Sequence, residues 1–476
     1  MHLTAEQDAI ASCTAKTLVV NAFAGTGKTS TLVEYARRRP NESLLYLAFN
    51  RTTKEEALQK FPKNVKCVTT HGLAYSSHGH KYSSKLGNPR ATHLSPALGV
   101  DFISAGLALQ VVNNFLVSSS QKITEVHALT SAQTLPQNQI CILVDLANRA
   151  WSMMQDLSNK AVPMPHDGYL KLYQLSKPQI KTGIILFDEA QDANPVTLEI
   201  VLNQNANKVF VGDKYQAIYG FRGSIDALDN IGADANLVLT ASFRFGEGAA
   251  AVASALLQDW QGCEHMIIGK GKQQTSFAVD QGKSHAIISR TNACLFSESV
   301  NLVRSDMPFR FIGGVDGYQF DKILDTYYLQ SGQKARVRDK FLGSFDDYTH
   351  MREYADDLDD KEIKALLRVV EEYRNDVPVL VAEIKSKGNE SHSTDAVILA
   401  TAHKAKGLEF NDVLLTSDYT DLKPKFDQKT KKIALPPPEE INILYVAATR
   451  SMRGLSLPAS IKEWLMNSGR KYLFAK

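Results

Sequence analysis

The segment Ala24-Gly25-Thr26-Gly27-Lys28-Thr29-Ser30 sets two glycines, a lysine and three hydroxyls between an apolar run, Thr17 to Val20, and a helix-like pattern. Such a set suits a nucleoside triphosphate. Glycines let backbone N–H groups at a helix N-terminus approach phosphate oxygens, the lysine reaches the β- and γ-phosphates, and the threonine hydroxyl holds Mg²⁺. The usual G-x-x-x-x-G-K-[ST] spacing has glycine where this chain has Ala22, so the string taken alone also fits a Gly-rich turn beside an incidental lysine. A second string narrows the choice. In Gly183-Ile184-Ile185-Leu186-Phe187-Asp188-Glu189-Ala190-Gln191-Asp192 an apolar strand delivers Asp188 and Glu189 to its carboxyl end. There one carboxylate can bind Mg²⁺ and the other can orient an attacking water. Lys28 and this acidic pair together predict ATP and Mg²⁺ as cofactors, with Thr29 and one of the two carboxylates on the metal.

Further candidates sit where other apolar runs end. The Gln7 amide has the donor and acceptor faces that reading an adenine edge requires, although a glutamine on a short helix is also an ordinary solvated residue. Gln216 follows the run Lys208 to Asp213 and is placed to sense the γ-phosphate. Behind it Tyr219, Phe221 and Arg222 offer π faces and a cation on a Gly-flanked loop. Stacked on bases, such aromatics contribute about 1–3 kcal/mol each, whereas the competing reading has them plug an interface. Phe243 and Arg244 end another run as an adenine-stacking face and a candidate arginine finger. Phe49-Asn50, Thr70-His71 and His403 supply aromatic, amide, hydroxyl and cationic groups rather than carboxylates. That content suits phosphodiester and base contacts, and equally plain turn chemistry. Glu409 can accept a ribose hydroxyl proton, and Arg450 closes a helix-like stretch from Glu439.

These residues need a scaffold that brings run ends together. Short apolar runs followed by polar turns and helices recur at Thr17, Leu44, Val65, Gly183, Lys208 and Leu237, as expected for a buried parallel sheet with its ligand crevice at the carboxyl ends. A second set, starting at Ala286, Ala396, Asp412 and Leu455, predicts another α/β lobe. Residues 73–181 read as a mostly helical insertion, with helices expected over Phe102 to Leu116 and Ile140 to Leu157. Residues 301–393 read as a smaller one, whose run Asp356 to Tyr373 predicts a single charged helix with a solvated acidic face.

Eight strings in this order, AFAGTGKTSTL, LAFNRTTKEEA, VTTHGLAY, FDEAQDANP, VGDKYQAIYGFRG, LTASFRFG, TAHKAKGLEF and ILYVAATR, resemble the superfamily 1 DNA helicases of the UvrD/Rep type. Within that group they resemble the helicase core of the F-box DNA helicase family, whose loop often has alanine at the position of Ala22. The resemblance implies an α/β fold of two RecA-like P-loop lobes with parallel sheets, each interrupted by a mainly helical insertion. The lobes are 1–72 with 182–240, and 241–300 with 394–476; the insertions are 73–181 and 301–393. By the same resemblance Gln7 reads adenine, residues 24–30 cradle phosphate, Asp188 binds Mg²⁺, Glu189 is the catalytic base and Gln216 couples the γ-phosphate to DNA. Arg244 and Arg450 serve the phosphoryl group and Glu409 meets the ribose. Asn50, Thr70, His71, Tyr219, Phe221 and His403 match DNA-contacting positions, and Phe49 and Arg222 beside them are further DNA-binding candidates. Single-stranded DNA and single-strand/duplex junctions are the implied partners, with 3′ to 5′ movement and a place in repair, recombination or replication. With little chain before Gln7, no F-box or ubiquitin-ligase role is carried over.

Composition excludes little and contradicts nothing. A net charge of +3 on 476 residues makes any polyanion site a local groove. Five cysteines without a C-x-x-C spacing, and His71, His78, His80 and His93 without ligand spacing, argue against a zinc site or disulfide framework. The absence of a long apolar run or secretory signal predicts a soluble intracellular protein, cytoplasmic, nucleoid-associated or nuclear, with no membrane partner. No string identifies a protein partner. Three rivals stay open: a translocase that strips proteins from single strands, a P-loop kinase of a small molecule, and a non-catalytic ATP-gated binding module. The last conflicts with the set Glu189, Arg244 and Arg450.

Overall fold

The computed structural model describes residues 2–129, 136–218, 228–357, 360–390, 395–419, 422, 425–427 and 432–474. The chain divides into two units, Met1–Thr240 and Ala241–Lys476. In the first, strands β1 (Thr17–Ala22), β2 (Leu44–Ala48), β3 (Val65–Thr69), β4 (Ile184–Asp188), β5 (Asn207–Gly212) and β6 (Ala235–Leu239) form one sheet in the order β3-β2-β4-β5-β1-β6. Every pairing is parallel. Parallel neighbours require crossovers, so helices cover both faces and each strand is apolar on both sides. Val20, Leu32, Tyr46, Leu186 and Val209 pack on one face; Val19, Leu45, Phe187, Leu198 and Phe210 pack on the other. The phosphate-loop candidate leaves β1 and the acidic pair leaves β4, with β5 between them, about 10 Å apart at ordinary strand spacing.

The helical insertion of this unit has its own core, including Val111, Phe115, Leu146, Trp151 and Leu170. Its helices include Thr70–Ser77, Ala91–Leu98, Phe102–Val117, Gln137–Gln155 and His166–Leu175. Thr70 and His71, expected on a loop, occupy the first turn of a helix. The cause is local: Thr69 is an N-cap whose hydroxyl accepts the Gly72 N–H at 3.0 Å. Among the described residues no single helix is long and apolar enough to cross a membrane. The apolar pair Ala91–Leu98 and Phe102–Val117, bent by 110°, contributes to this core instead.

In the second unit β7 (Ala241–Ser242) pairs in parallel with β8 (Ile268–Gly269). The main sheet comprises β9 (Ala286–Ser289), β10 (Phe309–Phe311), β11 (Val397–Thr401) and β12 (Phe410–Leu415). After a hairpin of β13 (Lys425–Asp427) and β14 (Lys432–Ala434), β15 (Ser451–Ser456) completes it in the parallel order β10-β11-β9-β12-β15. The second unit departs from expectation at three places. The run starting at Leu237 is split at Thr240 between the sheet of the first unit and the β7–β8 pair. Residues 309–311, inside the expected insertion, are an edge strand of the main sheet. The charged run is two helices, Tyr348–Asp357 and Lys361–Tyr373, because Asp360 caps the second by accepting the Glu362 and Ile363 N–H groups at 3.0 Å each. Ile363, Leu366, Leu367 and Val370 of that helix are buried, so its apolar stripe belongs to a core.

Candidate functional site

At the end of β1 the chain turns through Gly25 and Gly27, at φ +75° and +77°, conformations that favour glycine. Helix Lys28–Arg37 then begins with Gly27 as an N-cap that lacks a side-chain hydrogen bond, leaving its first N–H groups without a side-chain cap. Lys28 reaches across β5 to β4: its Nζ lies 2.8 Å from Oε2 of Glu189. Burial works against the lysine charge, but the carboxylates of Glu189, Asp188 and Asp213 outweigh it and raise its pKa. Thr29 and Ser30 follow in the first helical turn, half-buried.

Asp188 is buried. One carboxyl oxygen accepts the Tyr46 hydroxyl at 2.7 Å and the other accepts the Glu189 N–H at 2.9 Å. Burial, then the charge of Glu189, push its pKa up, against the pull of Lys28 and the Tyr46 hydrogen bond. Three carboxylates thus oppose one ammonium in this pocket of charge. Such a surplus of hard oxygen donors fits Mg²⁺, and Thr29 and Asp188 would hold it. Glu189 itself has φ +51°, uncommon for a residue with a side chain and costly enough to need support from its surroundings.

Sequence reasoning missed that support. Gln191 donates to Glu189 at 2.7 Å, and Asp213 links Gln191 to Gln216. The Phe23 ring stacks on Tyr215 at 5.9 Å, tying the loop after β1 to the segment of Gln216. A signal was available for Tyr46, the single polar side chain in the run Leu44 to Phe49, since a buried hydroxyl must find a partner.

Gln7 sits beside the loop with both ends of its amide engaged. Its Oε1 accepts the Thr4 N–H at 3.1 Å, in a reciprocal cap with Thr4, and its Nε2 donates to the Thr26 carbonyl at 3.3 Å. The neighbouring Glu6 accepts the backbone N–H and hydroxyl of Thr240, where the first unit ends. Phe49 is 44% exposed at the end of β2, a large apolar face turned to solvent. Asn50 caps helix Arg51–Lys60 by accepting the Thr53 N–H at 2.8 Å. Thr70 is buried; His71 Nε2 stands 3.0 Å from Asp167 Oδ1, joining the end of β3 to the helical insertion. Tyr219, Phe221 and Arg222 lie outside the described residues.

The second unit gathers a separate set. Arg244 donates from Nε to Glu409 at 2.8 Å and from Nη1 to the Thr449 carbonyl at 3.0 Å. Arg450 is buried, donating to the carbonyls of Val446 at 2.8 Å and Leu408 at 3.3 Å and to the Thr449 hydroxyl at 3.1 Å. Three strings far apart in sequence, around 244, 409 and 450, therefore meet at one place. Phe243 beside them is 44% exposed. The backbone carrying them is clasped by the segment after β8: Lys270 and Gly271 donate N–H groups to the carbonyls of Ser242 and Phe245 at 2.7 and 2.9 Å. His403 lies on the short helix Ala402–Ala405 at the end of β11, where the neighbouring Lys404 Nζ sits 3.7 Å from the Tyr318 ring centre.

Comparison with known proteins matches these two halves separately. Residues 6–222 match an AAA domain, and residues 283–460 match the UvrD-like helicase C-terminal domain. The chain is 32% identical over 489 residues to F-box DNA helicase 1 of Gallus gallus, covering 95% of this chain and 48% of the relative. It is 30% identical over 511 residues to F-box DNA helicase protein 1 of Schizosaccharomyces pombe, covering 96% of this chain and 58% of the relative. The chain thus spans less than two thirds of either relative's length. With a phosphate-loop unit on one parallel sheet, a second parallel-sheet unit after it, and both matches in that order, the chain carries an AAA domain followed by a UvrD-like helicase C-terminal domain and is similar over most of its length to F-box DNA helicases.

Proposed function

We propose that this chain is an ATP-dependent DNA helicase or translocase that moves on single-stranded DNA and couples ATP hydrolysis to strand separation. One observation supports hydrolysis over mere binding: Lys28, Glu189 and Asp188 converge at the ends of β1 and β4, with Lys28 and Glu189 2.8 Å apart. Lys28 and the N–H groups of 24–30 bind the phosphates, and Gln7 orients the adenine. Mg²⁺, held by Thr29 and Asp188, would neutralise charge on the phosphates. Glu189 takes the proton of the attacking water, and Gln216 senses the γ-phosphate. Arg244 and Arg450 supply cations to the charge that develops on the phosphoryl group, and Glu409 the ribose contact. For Arg450 this role requires its guanidinium to exchange carbonyl acceptors for phosphate oxygens.

Single-stranded DNA and junctions are the proposed substrates, contacted by Phe49, Asn50, Thr70, His71, Tyr219, Phe221, Arg222 and His403. The proposed movement is 3′ to 5′, in repair, recombination or replication, as the resemblance of the motif strings to UvrD/Rep-type helicases implies; the relatives' names support only a DNA helicase. The deciding experiment is the ATPase rate with and without single-stranded DNA at stated salt, since phosphate contacts make binding salt-dependent. Strong stimulation is expected; a rate indifferent to DNA would favour a small-molecule kinase. Glu189→Gln is expected to keep ATP binding and lose turnover by at least about 100-fold. Normal DNA-stimulated turnover in that variant would remove the base assignment. A tailed-duplex displacement assay separates unwinding from a translocase that only strips bound proteins.

A further inference from the structure

We infer that Gln191 is a positioning residue that aims the Glu189 carboxylate and connects it to the segment bearing Gln216. The inference rests on the reading of Glu189 as the hydrolytic base. Gln191 is fully buried. Its Nε2 donates to Oε2 of Glu189 at 2.7 Å and to Oδ2 of Asp192 at 3.2 Å, while its Oε1 accepts the Asp213 N–H at 3.0 Å. Reversing the amide would set its oxygen against two carboxylates and its NH₂ against an N–H, so electrostatics determines its orientation.

Asp213 carries the connection onward. Its Oδ2 accepts the Gln216 Nε2 at 2.7 Å and its Oδ1 accepts the Tyr215 N–H at 3.1 Å. A continuous path of polar contacts therefore runs from Lys28 through Glu189, Gln191 and Asp213 to Gln216. Lys28 cannot aim Glu189 alone, because an ammonium is a compact charge with rotatable donors, whereas a planar amide imposes a direction. Direction matters at Glu189, whose backbone is already in the left-handed region. The close fit at Gly212 supports the arrangement: a Cβ there would overlap Oε1 of Gln191 and stand 3.1 Å from its backbone N. Glycine at the end of β5 is what lets the amide cross.

The test compares wild type, Gln191→Met, Gln191→Glu and Gly212→Ala as full-length chains. Each is measured for melting temperature, binding of a non-hydrolysable ATP analogue, and kcat and KM for ATP with and without single-stranded DNA. Gln191→Met preserves length and removes the amide. The expected result is analogue affinity and KM within about 2-fold, kcat reduced at least about 10-fold, and a lower ratio of DNA-stimulated to basal rate. Gln191→Glu replaces the donor with a carboxylate that repels Glu189 and should lower kcat at least as far as Gln191→Met, with analogue affinity retained. Gly212→Ala displaces the amide without deleting it and should lower kcat in the same sense. A merely structural glutamine would change melting temperature and active fraction but not the split between kcat and KM or the DNA ratio.

Gln191→Met with wild-type kcat and DNA ratio would overturn the proposal, as would wild-type kcat in Gln191→Glu. Should the Met variant fail to fold, the Glu and Ala variants decide by the same readouts. Glu189→Gln keeps the two readings apart. An inactive Glu189→Gln beside a normal Gln191→Met rejects only the positioning role, whereas an active Glu189→Gln rejects the base itself.

Discussion

Tyr46 shows how one polar atom in an apolar strand can report on a site. Its ring packs in the core below the sheet, and its hydroxyl donates to the buried Asp188, which has few other ways to be satisfied. Burial, then the neighbouring Asp188 charge, raise the Tyr46 pKa, so the phenol stays protonated and remains a donor. Tyr46→Phe keeps the packing and strands a carboxylate oxygen. The expected cost is about 1–3 kcal/mol of stability, read as a lowered midpoint in urea unfolding. An unchanged midpoint would mean that water replaces the hydroxyl. The same logic applies to Gln191 and Asp213, whose importance lies in which groups they face and was invisible in their residue types.

At the scale of elements, ends and junctions carry the specificity. The carboxyl ends of β1, β4 and β5 hold the phosphate lysine, the acidic pair and the Gln216 segment, while β11 leads to His403 and Glu409 immediately precedes β12. The helical insertion is held by a buried lysine. Lys171 on helix His166–Leu175 donates to the carbonyls of Ser118 and Ser120 at 2.8 and 2.5 Å, just past the end of helix Phe102–Val117, and lies over the Phe115 ring. Burial lowers its pKa to about 8 from the ordinary 10.5, against the attraction of Glu199. Between these values the unfolded chain binds a proton that the folded one does not. This group's contribution therefore favours folding increasingly as pH rises from about 8 toward 10.5, and the gain is absent below the folded pKa. Thermal unfolding of wild type and Lys171→Met across that range checks it. The difference in melting temperature between them should shift toward wild type as pH rises, and a pH-independent difference would refute the assignment.

For the whole molecule, nucleotide affinity should appear as stability. A ligand that binds only the folded state stabilises it by about 2.7 kcal/mol at one hundred times its Kd. Mg²⁺ with a non-hydrolysable ATP analogue should therefore raise the melting temperature of wild type but not of Lys28→Ala; an equal rise in both would place the nucleotide elsewhere. Much of this protein was legible in its sequence. Glycine, lysine and paired carboxylates at fixed offsets after apolar runs identify local strand–turn–helix units, because phosphate binding by backbone N–H groups depends on neighbours in the chain. The order of eight such strings pointed to the UvrD-like helicase domains that the chain matches, and the short apolar runs predicted parallel sheets. Tertiary structure alone decided which run ends meet. It put β5 between β1 and β4, split the run from Leu237 at Thr240, and made residues 309–311 part of a sheet rather than an insertion. It also assembled Lys28, Glu189, Gln191, Asp213 and Gln216 into one path, and Arg244, Glu409 and Arg450 into another cluster. The physical reason is that hydrogen bonds and charge pairs act over a few ångströms in space between residues that the chain keeps far apart.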